Sequence, residues 1–133
     1  MKRLDDKVRV SAQIWPQEVA GLGVAMIVNN RPDGEEPGQP TSEEIAAAAR
    51  TAGVGYRHIP MAGGVSLPQV AEMAEALAAA EGEVLAFCKS GTRSTYLWAL
   101  ARSRMGDDAE ELVAKAAAAG YDLSPIRAFL AAT

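Results

Sequence analysis

The sequence predicts an α/β fold of three layers, a mainly parallel sheet of four to five strands flanked by helices. Two observations carry this. Short apolar runs of strand length, such as Val24 to Asn29 and Val84 to Phe87, alternate with longer segments that have helical period and helix-capping residues. The chain of 133 residues, 49% of them hydrophobic, is also enough for one layered core and too short for two. A single domain over residues 1–133 follows.

In order, Val8 to Ser11 reads as the first strand. Trp15-Pro16-Gln17 opens a brief helix, because proline suits a first helical turn, and Gly21 or Gly23 stops it. Val24 to Asn29 has no alternation, the mark of a strand covered on both faces. Asn30 to Pro40 is dense in proline, glycine and acid and is a loop. Thr41 with Glu44 forms a capping box for a helix ending near Gly53. Tyr56 to Ile59 is a third strand, closed by Pro60, and Met61 to Ser66 is a loop. Ser66 with Gln69 caps a helix whose Val70, Met73, Ala74 and Leu77 share one face, and Gly82 ends it. Val84 to Phe87, the fourth strand, runs straight into Cys88. Thr95 to Arg104 is helical, Asp107 or Asp108 caps a helix to about Ala119 with Gly120 as its stop, and Ser124-Pro125 caps a last helix to the C-terminus. In a parallel sheet, sites form at the carboxyl ends of strands. Cys88 occupies such an end.

Composition removes several classes of function. A net charge of −4 leaves no basic footprint for nucleic acid. No uncharged stretch reaches membrane-spanning length, and MKRLDDKVRV has no apolar signal run, so a cytoplasmic location without membrane contact is expected. One cysteine forbids an internal disulfide, and with one histidine it falls short of the roughly four ligands of a structural metal site. No metal and no cofactor are expected, and Cys88 needs its own explanation.

That explanation lies in Cys88-Lys89-Ser90-Gly91-Thr92-Arg93-Ser94. Strand, tight turn and helix start together aim successive backbone N–H groups inward and add the partial positive charge of a helix N-terminus. A cysteine at the base of such a cradle is favoured as thiolate, the nucleophilic form. Arg93 brings a planar, permanently charged fork for an oxyanion, and Gly91 lets the backbone bend close to it. Lys89, Ser90, Gly91 and Thr92 line the cradle, and Ser94 stands where its hydroxyl can donate to the thiolate. Cys88 and Arg93 are therefore the expected catalytic pair.

This loop, with Asn29-Asn30-Arg31-Pro32-Asp33-Gly34-Glu35-Glu36-Pro37-Gly38-Gln39-Pro40 and Tyr56-Arg57-His58-Ile59-Pro60, resembles the phosphatase-like domain of bacterial β-lactamase-hydrolase-like proteins, over roughly residues 8 to 120. The resemblance implies a fold like that of dual-specificity protein tyrosine phosphatases. It also implies a hydrolase acting through a phosphocysteine on Cys88, on a small oxyanion or a phosphoprotein. The loop departs from the phosphatase pattern in two ways. Only Lys89 to Thr92 separate Cys88 from Arg93, one residue fewer than usual, and Phe87 stands where histidine is usual. Both departures resemble rhodanese loops, which implies the alternative of a sulfur transferase forming a Cys88 persulfide from a persulfide-type donor. A non-catalytic oxyanion-binding module and a redox-sensing cysteine are the remaining alternatives.

A phosphatase also needs an acid for the leaving oxygen. In the resembled enzymes it follows the strand matching Tyr56 to Ile59, yet Met61 to Val65 contains none. Asp33 is the best substitute, although an aspartate before glycine is also a common turn former. Arg31 is placed either to bind an anionic substrate or to pair with Glu35 or Glu36, themselves read as solvated. His58 is a candidate base by residue type, but its place inside a strand reads as a core or face residue, and Tyr56 reads as packing.

Overall fold

The computed structural model describes residues 1–130. Five strands form one sheet in the order β1-β2-β5-β3-β4: β1 (Lys2–Arg3), β2 (Val8–Ser11), β3 (Met26–Asn29), β4 (Gly55–His58) and β5 (Val84–Phe87). β2, β5, β3 and β4 run parallel, and only β1 is antiparallel, at the edge beside β2. The three-layer α/β class holds, and the fifth strand is the short N-terminal one.

Because side chains alternate along a strand, each central strand feeds two cores. Ile27, Leu85 and Phe87 face one side, where they meet Ile14 from the loop after β2, Val19 from a 3₁₀ turn (Pro16–Gly21) and Ile45 from α1 (Ser42–Ala52). Val10, Val28, Val84 and Ala86 face the other, which is covered by α2 (Leu67–Ala79), α3 (Thr92–Arg104), α4 (Ala109–Ala118) and α5 (Arg127–Leu130). Trp98 of α3 is fully buried there and donates its indole N–H to Asp5 at 2.8 Å.

The predicted caps of α1, α2 and α4 are present. Ser124 caps no helix: it is the first residue of a 3₁₀ turn whose N-cap is Leu123, and its hydroxyl bonds Asp122. Thr41 Oγ1 and Glu44 exchange hydrogen bonds at the start of α1, and Ser66 and Gln69 do so at α2. Asp108 caps α4, while Asp107 pairs with Arg102 instead. Some boundaries move. α2 ends at Ala79, before Gly82, because Ala80 already turns to an extended backbone. The final segment is a 3₁₀ turn (Ser124–Ile126) leading into α5, and residues 131–133 of the expected last helix lie outside the described residues. α3 starts at Thr92, three residues before the expected Thr95, because Gly91 with φ +91° serves as its N-cap. This last shift puts Thr92, Arg93 and Ser94 in the first turn of a helix, where backbone N–H groups lack intrahelical partners.

Candidate active site

The four parallel strands end in one row, since Ser11, Phe87, Asn29 and His58 are register partners. Every loop leaving that row carries a site residue: Gln13 after β2, Arg31 to Glu36 after β3, Met61 after β4 and Cys88 after β5.

Cys88 has no exposed surface and follows β5 without a break, its own N–H reaching Ser11 O at 3.3 Å. The chain then turns over the sulfur, and the Gly91 N–H donates to Cys88 Sγ at 3.0 Å. The sulfur thus lies under an inward-turned amide beside a helix start. Thr95 N–H and Oγ1 both bond Gly91 O, at 3.0 and 2.8 Å, which locks the turn to the helix. Ser90 Oγ donates to Thr92 Oγ1 at 3.1 Å on the outer wall. Ser94 is fully buried, and its Oγ has no hydrogen-bond partner among the described residues. The expected donation from Ser94 to Cys88 is therefore not made in this structure.

Arg93 is anchored from two sides. Its Nη groups clasp both oxygens of Glu35 at 2.8 and 2.9 Å, and Nη1 also reaches Met61 O at 2.9 Å. Chiefly through Glu35, and partly through Cys88 nearby, the guanidinium holds its proton more tightly than usual. Glu35 in turn is pulled down to about 2 by Arg93 and by Arg31, against the opposing effect of burial. Arg31, only 4% exposed, is a hub: it bonds Glu35 at 2.8 Å, Glu36 at 3.0 Å and Gln13 at 2.9 Å. Lys89 closes the network on Glu36 at 3.1 Å. Three cations around the loop therefore meet two carboxylates from the β3 loop. Glu35 and Glu36, read from sequence as solvated, are the partners of Arg31, Lys89 and Arg93. A cavity of about 400 Å³, lined by Gln13, Trp15, Arg31, Glu36 and Lys89 among others, opens beside them.

The β3 loop is wired to the sheet by its two asparagines. Asn29 accepts the Arg31 N–H and donates to Tyr56, while Asn30 donates to Ile59 O. His58 Nε2 lies 2.9 Å from Arg31 O, and Tyr56 shares its hydroxyl with Ser42, so both brace the loop. Asp33 is not brought to Cys88: its Oδ1 accepts the Ser42 N–H at 2.7 Å, satisfying a free donor at the start of α1. Sequence reasoning missed Gln13, the Met61 carbonyl and Tyr121, whose hydroxyl donates to Ser90 O at 3.2 Å. Only the Arg31–Glu35 spacing of four residues offered a signal in advance. Among the described residues, no group of three or more histidine, cysteine or acidic side chains is placed to hold a metal ion. No described helix is long and apolar enough to cross a membrane.

Residues 1–105, which include the whole loop and the β3 loop, match the family described as beta-lactamase hydrolase-like protein, phosphatase-like domain. The chain belongs to this family. A beta-lactamase hydrolase-like protein of Xylella fastidiosa (strain Temecula1) is 39% identical over 127 residues, 90% of this chain but 29% of its own length. The chain thus spans under a third of that curated relative. A crystal structure of a provisionally assigned phosphatase from Neisseria meningitidis Z2491 superposes with a TM-score of 0.81 at 34% identity, covering 97% of this chain and 94% of that one. Tk-PTP in its active form shares the fold at a TM-score of 0.73 and 20% identity, over 98% and 92% of the two chains. This is a phosphatase-like domain with a protein-tyrosine-phosphatase-like fold.

Proposed function

We propose that this domain is a cysteine-dependent phosphohydrolase with Cys88 as its nucleophile. The observation that carries the reading is the buried Cys88 Sγ, which receives the Gly91 N–H at 3.0 Å one turn before Arg93, at the strand end of a phosphatase-like fold. The Cys88 thiolate attacks phosphorus, the S–P bond forms and the P–O bond to the leaving group breaks. Water then attacks the phosphocysteine, phosphate departs, and the S–P electron pair returns to sulfur. Inward amides and Arg93 hold the equatorial oxygens, where charge is spread in the transition state. The unpartnered Ser94 hydroxyl supports sulfur as it leaves phosphorus. Lys89 and Arg31 add positive potential at the mouth.

Among the described residues, no acid stands ready for the leaving oxygen. Glu35, with its pKa near 2, stays ionised at working pH, and Asp33 would first have to leave the Ser42 amide. The leaving oxygen then takes its proton from water, and the favoured substrates are aryl or otherwise activated phosphates. Arg93 also binds substrate in competition with Glu35, since the same Nη groups serve both. Hydrolysis of 4-nitrophenyl phosphate is the test. Turnover is expected in the parent and absent in Cys88→Ser, with alkyl phosphates far slower; no turnover above Cys88→Ser would remove the reading.

One observation favours a second chemistry. Four residues between Cys88 and Arg93 make a tight cradle, suited to a persulfide, and sulfur transfer needs no leaving-group acid. There the Cys88 thiolate attacks the outer sulfur of thiosulfate, an S–S bond forms on Cys88, and sulfite departs with the bonding pair. Intact mass after incubation with thiosulfate tests it, and an unchanged mass speaks against it.

A further inference from the structure

One peptide unit in the catalytic loop is gripped at both ends. In a trans peptide the C=O and the next N–H point in opposite directions. The unit joining Ser90 to Gly91 aims its N–H at Cys88 Sγ, 3.0 Å away, and its C=O outward to the Tyr121 hydroxyl, 3.2 Å away. The Ser90 carbonyl lies ahead of α3, whose first bond runs from Thr95 to Gly91, so the helix does not hold it. Rotation of this unit would cost both bonds and turn a carbonyl dipole toward the sulfur.

Tyr121 is itself fixed by α4. Gly120, with φ +95°, ends that helix in a Schellman turn, in which Gly120 N–H bonds Ala117 O at 2.9 Å and Tyr121 N–H bonds Ala116 O at 2.8 Å. The ring packs half-buried against the main core. Its hydroxyl lies so near Gly91 that a Cβ added there would overlap it. Burial, with a contribution from Cys88, raises the phenol pKa above its ordinary value, so the hydroxyl remains a donor. Tyr121 comes from beyond residues 1–105, the part that matches the family.

We infer that Tyr121 is a positioning residue of the active site: its hydroxyl holds the Ser90–Gly91 peptide in the orientation that presents an N–H to Cys88 and to a bound oxyanion. This rests on the proposed role of Cys88 and its cradle, but not on the choice between phosphoryl and sulfur transfer. A merely structural tyrosine would be replaced by phenylalanine without local effect, since the ring and its packing remain.

The test is Tyr121→Phe with three readouts. Phosphate protection of Cys88 from iodoacetamide should weaken about three- to tenfold, the effect of one lost hydrogen bond on an anion site. Exchange of the Gly91 amide, followed by NMR, should quicken by a similar factor, while the thermal midpoint stays close to the parent's. Tyr121→Leu, which also lacks the hydroxyl, should reproduce both changes. Unchanged protection and unchanged Gly91 exchange in a folded Tyr121→Phe protein would overturn the inference. If the parent itself gained no protection from phosphate, the anion cradle and the inference would both fall, a result distinct from failure of the Tyr121 role alone.

Discussion

The loops leaving β5 and β3 stand side by side at the same edge of the sheet, yet hold their shapes by different means. The β5 loop is local: sulfur, amide, left-handed glycine and helix start lie within seven consecutive residues, and backbone geometry does most of the positioning. The β3 loop is assembled over distance, since its acids meet Arg93 and Lys89 more than fifty positions away in sequence. The difference separates chemistry from control. In the proposed reading the β5 loop carries the reactive groups, while the β3 loop fixes the charge of its surroundings and the pose of Arg93.

Substitutions can break this division at either end. The largest effect is expected for Arg93→Ala, a loss of about a hundredfold or more in kcat/KM for an aryl phosphate. Arg93→Lys should recover little, because the fork that grips both an oxyanion and Glu35 is gone. Gly91→Ala comes next. A left-handed backbone and overlap with Tyr121 together predict about 2–4 kcal/mol of destabilisation in denaturant titrations. Adding Tyr121→Phe should relieve the overlap and leave the backbone strain. Arg31→Met, which empties the hub of the β3 loop, should cost about 2 kcal/mol, the scale of charged hydrogen bonds lost together. If it left both stability and KM unchanged, the controlling role of the β3 loop would be lost.

Glu35→Gln should act more finely. Relieved of a competing carboxylate, Arg93 is expected to bind phosphate about threefold more tightly, read as a lower inhibition constant. The pH dependence follows from the lowered pKa of Glu35, which Arg93 mainly causes. A carboxylate more acidic in the folded state stabilises the fold above its ordinary value of 4.5, and that contribution fades as pH falls toward about 2. Between these limits the parent should lose stability more steeply than Glu35→Gln. The smallest change in turnover is expected for Asp33→Asn, whose effect should appear in the stability of α1 instead; a collapse of turnover would restore Asp33 as the acid.

The same division explains what the sequence could reveal. Strands β2, β3 and β5, both capping boxes and the Cys88 loop are written in contiguous residues, so local chemistry exposed them. β1 has two residues and borrows its identity from pairing with β2, which no local pattern announces. The early start of α3 was hidden because Gly91 can end a loop or cap a helix, and only its backbone angle decides. Arg31 was a legible local partner for Glu35 and Glu36, but Arg93 and Lys89 reach them only through tertiary structure, so the run looked solvated. Tyr121 follows a helix stop like any other residue, and its hydroxyl gains meaning only once α4 places it against Ser90. Asp33 shows the converse: its turn-like setting pointed to a local role, and the Ser42 amide supplies one.

The most direct measurement is the intact mass of the protein quenched in acid within the first turnovers on an aryl phosphate, with a parallel arm on thiosulfate. One phosphoryl group on Cys88 in the first arm, absent in Cys88→Ser, is the expected result. A sulfur atom gained in the second arm with no phosphoryl group in the first would contradict it and assign the Cys88 loop to sulfur transfer.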